Sequence, residues 1–172
     1  MYKVITIFIA VALLLTIGCD KCDNQSEKNK EMLLASFEAM NNQQWDSLDL
    51  YFAEDFHRYS QATPDVVIES LDDMRKFVKE WYTSFPDAHM EVQKVVAEND
   101  LVAVWVTFAG THEGQMGPFP PTGKRMESET FGIFRFENGK AKEAWVTWDN
   151  VAGFVQLGIM PPLVPKEPTD SL

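Results

Sequence analysis

Asp149 is the residue best placed to do chemistry in this 172-residue chain. It stands two positions beyond Thr147 and four beyond Trp145. In an extended strand that spacing sets Glu143, Trp145, Thr147 and Asp149 on one face and Ala144, Val146 and Trp148 on the other. A carboxylate that shares a face with a large indole is a candidate general acid or base. The same aspartate precedes the helical run Val151 to Gly158, and from the pattern alone the plainer reading is that it caps this helix. Two histidines are further candidates. His112 sits in Gly110-Thr111-His112-Glu113-Gly114, and His57 sits in Phe56-His57-Arg58-Tyr59, where His57 and Tyr59 share a face. His57 could orient or protonate a ligand, and Tyr59 could donate to a carbonyl oxygen. Both also read as strand-edge residues. Trp105 and Trp145 read as walls of a pocket or as core. Glu127 and Glu129 share one strand face and read as solvated, while His89 follows a turn and reads as exposed. The three histidines form no His-x-His or His-Glu-x-x-His group, so no metal site is expected.

These side chains call for a strand-rich scaffold. Residues 126–149 read as a β-hairpin. Thr130, Gly132, Phe134 and Phe136 alternate with Phe131, Ile133 and Arg135, and Asn138-Gly139 supplies the reversal. Leu101 to Thr111 is the strongest strand, with Val104, Val106 and Phe108 on one face and Trp105, Thr107 and Ala109 on the other. A sheet apolar on both faces needs helices on one side and a partner subunit on the other, which predicts a homodimer. Met90 to Val96 alternates irregularly and predicts a strand with a bulge, closed by a turn at Glu98-Asn99-Asp100. Leu33, Phe37 and Met40 predict a first helix over about 27–43. Asp46 can cap a short second helix with Leu48, Tyr51 and Phe52 as its apolar contacts. Ser70 and Asp73 open a long helix over about 70–84 that carries Met74, Phe77, Val78, Trp81 and Tyr82. Gly114 to Lys124 reads as a rim loop or subunit contact. Five residues separate Gly117 from Gly123-Lys124, one more than a phosphate loop allows.

The chain is 45% hydrophobic, enough to build one core, and its formal charge of -11 argues against nucleic acid and against anionic lipid as partners of the domain surface. Membrane contact is expected only through the N-terminus. Residues 1–18 carry Lys3 and an almost continuous apolar run to Ile17, followed by Gly18-Cys19. This resembles a bacterial lipoprotein signal with Cys19 as the lipid-attachment residue, although Thr16 stands where leucine is usual and Leu15 lies one further back. The expected organisation is signal peptide 1–18, lipidated tether 19–27, folded domain 28–160 and Pro-rich tail 161–172. Localisation is then the cell envelope, lipid-anchored on the extracytoplasmic side. Cys22 is a lone thiol in the tether, and no disulfide framework is expected.

The later half of the chain carries a family signature. Gly110-Thr111-His112-Glu113-Gly114, Pro121-Thr122-Gly123-Lys124, Phe134-Arg135-Phe136, Gly139-Lys140, Glu143-x-Trp145-x-x-x-Asp149 and Gln156-Leu157-Gly158 together resemble the SnoaL-like polyketide cyclases, often labelled ester cyclases. The resemblance runs from about residue 29 to about residue 158. It implies an α+β, NTF2-like cone, in which N-terminal helices pack on a strongly curved antiparallel or mixed sheet that encloses a pocket. It implies an intramolecular aldol closure with Asp149 as general acid and base, His112 beside the ligand, and His57 at the family's histidine after an acidic segment. A base that removes a proton α to a carbonyl needs no metal or organic cofactor. Three functions stay open. The first is a cyclase, isomerase or hydratase acting on a small apolar carbonyl compound. The second is a non-catalytic module that holds a hydrophobic small molecule, with Trp105, Trp145 and Tyr59 as its wall. The third is a dimeric scaffold with a vestigial pocket.

Overall fold

Apolar spacing in the first helix sets how the sheet is covered. In the computed structural model, which describes residues 25–162, residues 25–41 are helical and form α1. Cys19, Cys22, the signal segment 1–18 and the tail from residue 163 onward lie outside the described residues. Leu33, Phe37 and Met40 fall on one stripe of α1 and are buried. Asn41 ends the helix with its amide on a strand: Nδ2 donates to the Met90 carbonyl and Oδ1 accepts from Met90 N, both at 2.8 Å.

The short second helix is a 3-10 turn, Trp45–Leu50. Asp46 lies inside its first turn and Gln44 is the N-cap residue, with no side-chain cap bond, so the expected capping role of Asp46 is not realised. Leu48 alone buries fully from this turn. Tyr51 and Phe52 do not continue the helix. Instead β1 runs Phe52–Tyr59, starting earlier than the expected Phe56. After the segment 60–70, α2 spans Leu71–Ser84. Its cap is reciprocal: Ser70 Oγ accepts from Asp73 N at 3.1 Å and donates to Asp73 Oδ2 at 2.6 Å. Aspartate therefore serves where a capping box normally has Glu or Gln.

Strands β2 (His89–Glu98), β3 (Leu101–Thr111), β4 (Arg125–Glu137) and β5 (Lys140–Trp148) complete a five-stranded sheet in the order β1-β5-β4-β3-β2. The β1–β5 pair is parallel and the other three pairs are antiparallel. The expected bulge in β2 falls between Val92 and Lys94. The β4–β5 reversal uses positive φ at Asn138 (52°) and Gly139 (79°), as the hairpin reading requires. Last comes α3, Asn150–Leu157, closed by Gly158.

One face of the sheet meets the helices. Val102, Val104 and Val106 from β3, Phe134 and Phe136 from β4, and Ala144 from β5 bury against α1 and α2. Each such aliphatic or aromatic side chain removed from water stabilises the fold by about 1.5–3 kcal/mol. The opposite face carries Trp105, Phe131, Ile133 and Trp145 and has no helix over it among the described residues; Phe131 and Ile133 are exposed. No helix among the described residues is long and apolar enough to cross a membrane.

Candidate functional site

Inside the cone, between α2 and the helix-covered face, lies a cavity of about 140 Å³. Its aromatic wall comes from both layers. Phe77 and Trp81 come from α2, Phe108 from β3 and Trp148 from β5. Trp81 organises this wall, because its ring lies 5.7 Å from Phe108, 6.2 Å from Trp148 and 5.5 Å from Phe85. Trp148 is fixed in turn by its Nε1–H, which donates to Asn150 Oδ1 at 2.8 Å. Asn150 also donates from Nδ2 to the Ala62 carbonyl, so the segment between β1 and α2 is tied to the start of α3.

Polar groups in this cavity are few: Arg58, Ser128 and Thr130 on the sheet, Ser36 on α1, and the Tyr82 hydroxyl. Alternation along β1 places Phe56 and Arg58 inward and His57 and Tyr59 outward. Arg58 is only 7% exposed. Its guanidinium sits 4.2 Å from the Phe77 ring centroid and 5.8 Å from that of Trp148, and Nη2 donates to Thr63 Oγ1 at 2.9 Å. It has no carboxylate partner among the described residues, and Nε is buried without a hydrogen-bond partner. Burial without a counter-charge pulls its pKa down to about 10, still charged at neutral pH. Ser128 Oγ is likewise buried and unpartnered. Burial pushes the Tyr82 phenol up to about 12, so it is protonated at neutral pH, and it donates to Asn41 Oδ1 at 3.3 Å.

The expected site residues divide among three places. His57, Tyr59, Trp105 and Trp145 do come together, but on the open face, where they line a broad groove of about 1040 Å³. Tyr59 stacks on Trp145 at 5.7 Å, and Trp105 meets Phe131 at 5.2 Å in a tilted contact. His57 Nδ1 lies 3.0 Å from the Asp55 carbonyl oxygen. His112 lies in neither space. It is 0% exposed, packs 5.3 Å from Phe85, and has Thr122 Oγ1 3.2 Å from Nδ1. Its backbone N–H donates to the Lys124 carbonyl and its carbonyl accepts from Gly123 N, both at 2.9 Å, so it pins the loop 113–124 to the fold.

Asp149 is the N-cap of α3. Its Oδ1 accepts from Ala152 N at 3.0 Å, and the residue is exposed. The expectation that it points into a pocket walled by Trp145 and Trp105 is overturned. The reason lies in β5, which ends at Trp148. The alternation that joined Asp149 to Trp145 stops one residue short, and the helix that follows takes the carboxylate as its cap. Trp148, on the opposite parity, is the indole that reaches the cavity. Arg58 and Ser128 went unnoticed in the sequence, yet the signal was present: both alternate in phase with core residues, Phe56 in one strand and Met126 in the other. Glu127 and Glu129 are exposed, in line with the solvated reading. Among the described residues no three His, Cys, Asp or Glu side chains gather as a metal site.

Residues 30–157 match the family model of the SnoaL-like polyketide cyclases. No curated protein matches the chain in sequence. In structure it is similar to AclR, a proposed hydroxylase from Streptomyces galilaeus, at 30% identity and a TM-score of 0.71, with 82% of this chain and 87% of that chain covered. IdmH, a proposed polyketide cyclase from Streptomyces antibioticus, aligns at 26% identity and a TM-score of 0.68 over 76% of this chain and 98% of that one. A SnoaL-like polyketide cyclase from Jannaschia shares the fold at 19% identity and a TM-score of 0.71, covering 79% and 95%.

Proposed function

Because the chain belongs to the SnoaL-like polyketide cyclase family, we propose that its cone holds a small, largely apolar carbonyl compound between Phe77, Trp81 and Trp148. The observation that carries this reading is the cavity itself, aromatic on two sides and supplied with only a few polar groups. Binding sites for small molecules share that composition. Its volume, about 140 Å³, is near that of an apolar cavity of about 150 Å³ that accepts benzene. Met40, Met74, Met90 and Met126 line it as well, and these unbranched side chains let the wall adapt to a larger guest. Titration of the full chain with acetophenone, followed by tryptophan emission, should give saturable binding. Val146→Phe, which fills the cavity, should abolish it. Binding that is unaltered in that variant would remove the reading.

A second reading adds catalysis. Asp149 directly follows the cavity residue Trp148, and its Oδ2 makes no hydrogen bond among the described residues. A carboxylate next in sequence to a cavity residue could pass a proton between an α-carbon and a carbonyl oxygen, which is the cyclase, isomerase or hydratase chemistry that the family motif suggests. Asp149→Asn should keep ligand affinity and lower turnover by about 10²-fold or more. Unchanged turnover leaves the chain a binding module. Neither reading calls on a cofactor. The domain is further proposed to sit at the cell envelope, tethered through Cys19. The Cys19→Ala chain should then keep precursor mass, and normal processing in that variant counts against the tether.

A further inference from the structure

The buried guanidinium of Arg58 is the one charged group in the cone cavity, and the fold leaves it poorly compensated. It is 7% exposed and forms no ion pair among the described residues. A guanidinium carries five N–H donors. The protein gives these one neutral acceptor, Thr63 Oγ1 at 2.9 Å, and two ring faces, Phe77 at 4.2 Å and Trp148 at 5.8 Å. Nε has no partner. Contacts with ring faces offset only part of the loss of hydration of a buried cation. Burial accordingly draws its pKa down to about 10. A residue kept for stability alone would be better served here by an apolar side chain of similar size, since buried charges are poor contributors to stability.

A second buried polar group lies on the same face of the sheet. Ser128 is 7% exposed and its Oγ has no hydrogen-bond partner among the described residues. The connection runs across successive strands. Arg58 on β1 is level with Ala144 of β5 and sends its guanidinium toward the Trp148 ring, Trp148 pairs in register with Thr130 on β4, and Ser128 is the next inward position of that strand. These residues all line the cavity. Two unsatisfied donors, one of them cationic, are thus set among aromatic walls in a space with no carboxylate among its lining residues.

We propose that Arg58 is the oxyanion anchor of the cone: the ligand is a flat, conjugated compound whose bound end is a negatively charged oxygen, a carboxylate or the enolate of a carbonyl compound. The Nε–H of Arg58 donates to that oxygen, and the conjugated body packs on Trp81, Trp148 and Phe77. Charge-assisted hydrogen bonds in a dry site are the stronger kind. The same arrangement favours an enolate over its parent ketone, because the fixed cation stabilises charge that develops on oxygen. This inference rests on the cavity reading above and narrows it from an apolar carbonyl compound to one that bears an oxyanion.

Three probes of one shape separate the two claims. Toluene reports the apolar cavity, benzamide adds a neutral carbonyl, and benzoate adds the charge. Binding of each to the full chain is followed by tryptophan emission at fixed ionic strength. Benzoate should bind at least 10-fold more tightly than benzamide. Arg58→Met should erase that preference while toluene still binds. Arg58→Lys should keep part of it, because the cation stays without the planar fork. The melting temperature of Arg58→Met should equal or exceed that of the unaltered chain, an outcome that a structural role for Arg58 would not give. If toluene binds but benzoate is no tighter than benzamide in the unaltered chain, the anchor is overturned and the cavity reading stands. If none of the three binds, both fall. Should Arg58→Met not fold, the benzoate–benzamide ratio of the unaltered chain decides alone.

Discussion

Asp149 shows how one carboxylate can satisfy two readings of the same motif. As the N-cap of α3 it takes up Ala152 N–H at 3.0 Å. Replacement of such a cap by alanine costs about 1 kcal/mol, whereas asparagine caps nearly as well. Urea unfolding should therefore separate Asp149→Ala from Asp149→Asn by about that amount. Equal stabilities would show that the cap contributes nothing. A second carboxylate gives a pH signature. Asp87 accepts from Thr111 N at 2.6 Å and from Thr111 Oγ1 at 2.8 Å, and these bonds, the first foremost, hold its pKa below the ordinary 3.8. A depressed folded-state pKa contributes stability above the ordinary value, and that contribution is lost as pH falls through the folded one. Asp87→Asn should thus melt below the unaltered chain at neutral pH, with the gap closing below about pH 4; a gap constant from pH 7 to pH 3 would exclude the linkage. At this scale the sequence was only partly legible. Alternation correctly paired His57 with Tyr59 and Trp145 with Thr147, but nothing local says which face of a strand the helices will cover. That choice depends on packing between distant segments, and so the outward tryptophans read as pocket and the inward Arg58 passed unremarked.

Elements were read more securely, because caps and turns are local. The Ser70–Asp73 cap, the Asn138-Gly139 reversal and the Gly158 stop all act over a few residues, and all stand where expected. The 3-10 turn Trp45–Leu50 was less legible, since six residues with one fully buried leucine carry too short a period to separate it from an α-helix. The signature Gly110-Thr111-His112-Glu113-Gly114 gains a structural meaning as a clasp between the exit of β3 and the end of α2. Glu113 N and Gly114 N both donate to the Ser84 carbonyl, at 3.1 and 3.0 Å. A Cβ on Gly114 would collide with the Thr83 carbonyl, and one on Gly110 would press Phe85 Cβ at 3.1 Å. Backbone atoms cannot yield as a flexible side chain can. Gly114→Ala should destabilise the chain by about 3 kcal/mol or more, well beyond an ordinary surface substitution. A melting curve that matches the unaltered chain would show the clasp to be loose. Gln156 does a related job at the same end of the sheet, where its amide accepts from Glu127 N and donates to the Glu127 carbonyl, both at 2.8 Å. Asn41 pairs with Met90 in the same way. Two side-chain amides thus stand in for strand partners, one at the start of β4 and one near the start of β2.

At the scale of the molecule, the sheet is apolar on both faces but the described residues cover one. The covered face was legible as a fold class, because helices that carry Leu33, Phe37, Met40, Met74 and Val78 must bury that stripe somewhere. The uncovered face carries Tyr59, Val96, Phe131, Ile133 and Trp145, all exposed, around the groove of about 1040 Å³. These residues come from all but one of the five strands plus none of the helices: β1, β2, β4 and β5, with Trp105 of β3 half-buried among them. We propose that a second copy of the chain covers this face. Arg135 on it already pairs with Glu143 at 2.6 Å and with Asp100 at 3.8 Å, so its positive charge is met within one chain and does not face an identical partner unpaired. A symmetric contact also pairs each exposed aromatic with the same surface of its neighbour. Stable contacts of this kind bury about 1,200–2,000 Å² in total. Sedimentation at tens of micromolar should show a dimer, and Ile133→Asp should shift it to monomer because it buries a charge at the centre of the patch. The melting temperature should then become concentration-dependent for the unaltered chain and independent of concentration for the variant. A monomer in both cases would leave the groove open to solvent and return His57, Tyr59, Trp105 and Trp145 to consideration as a ligand surface.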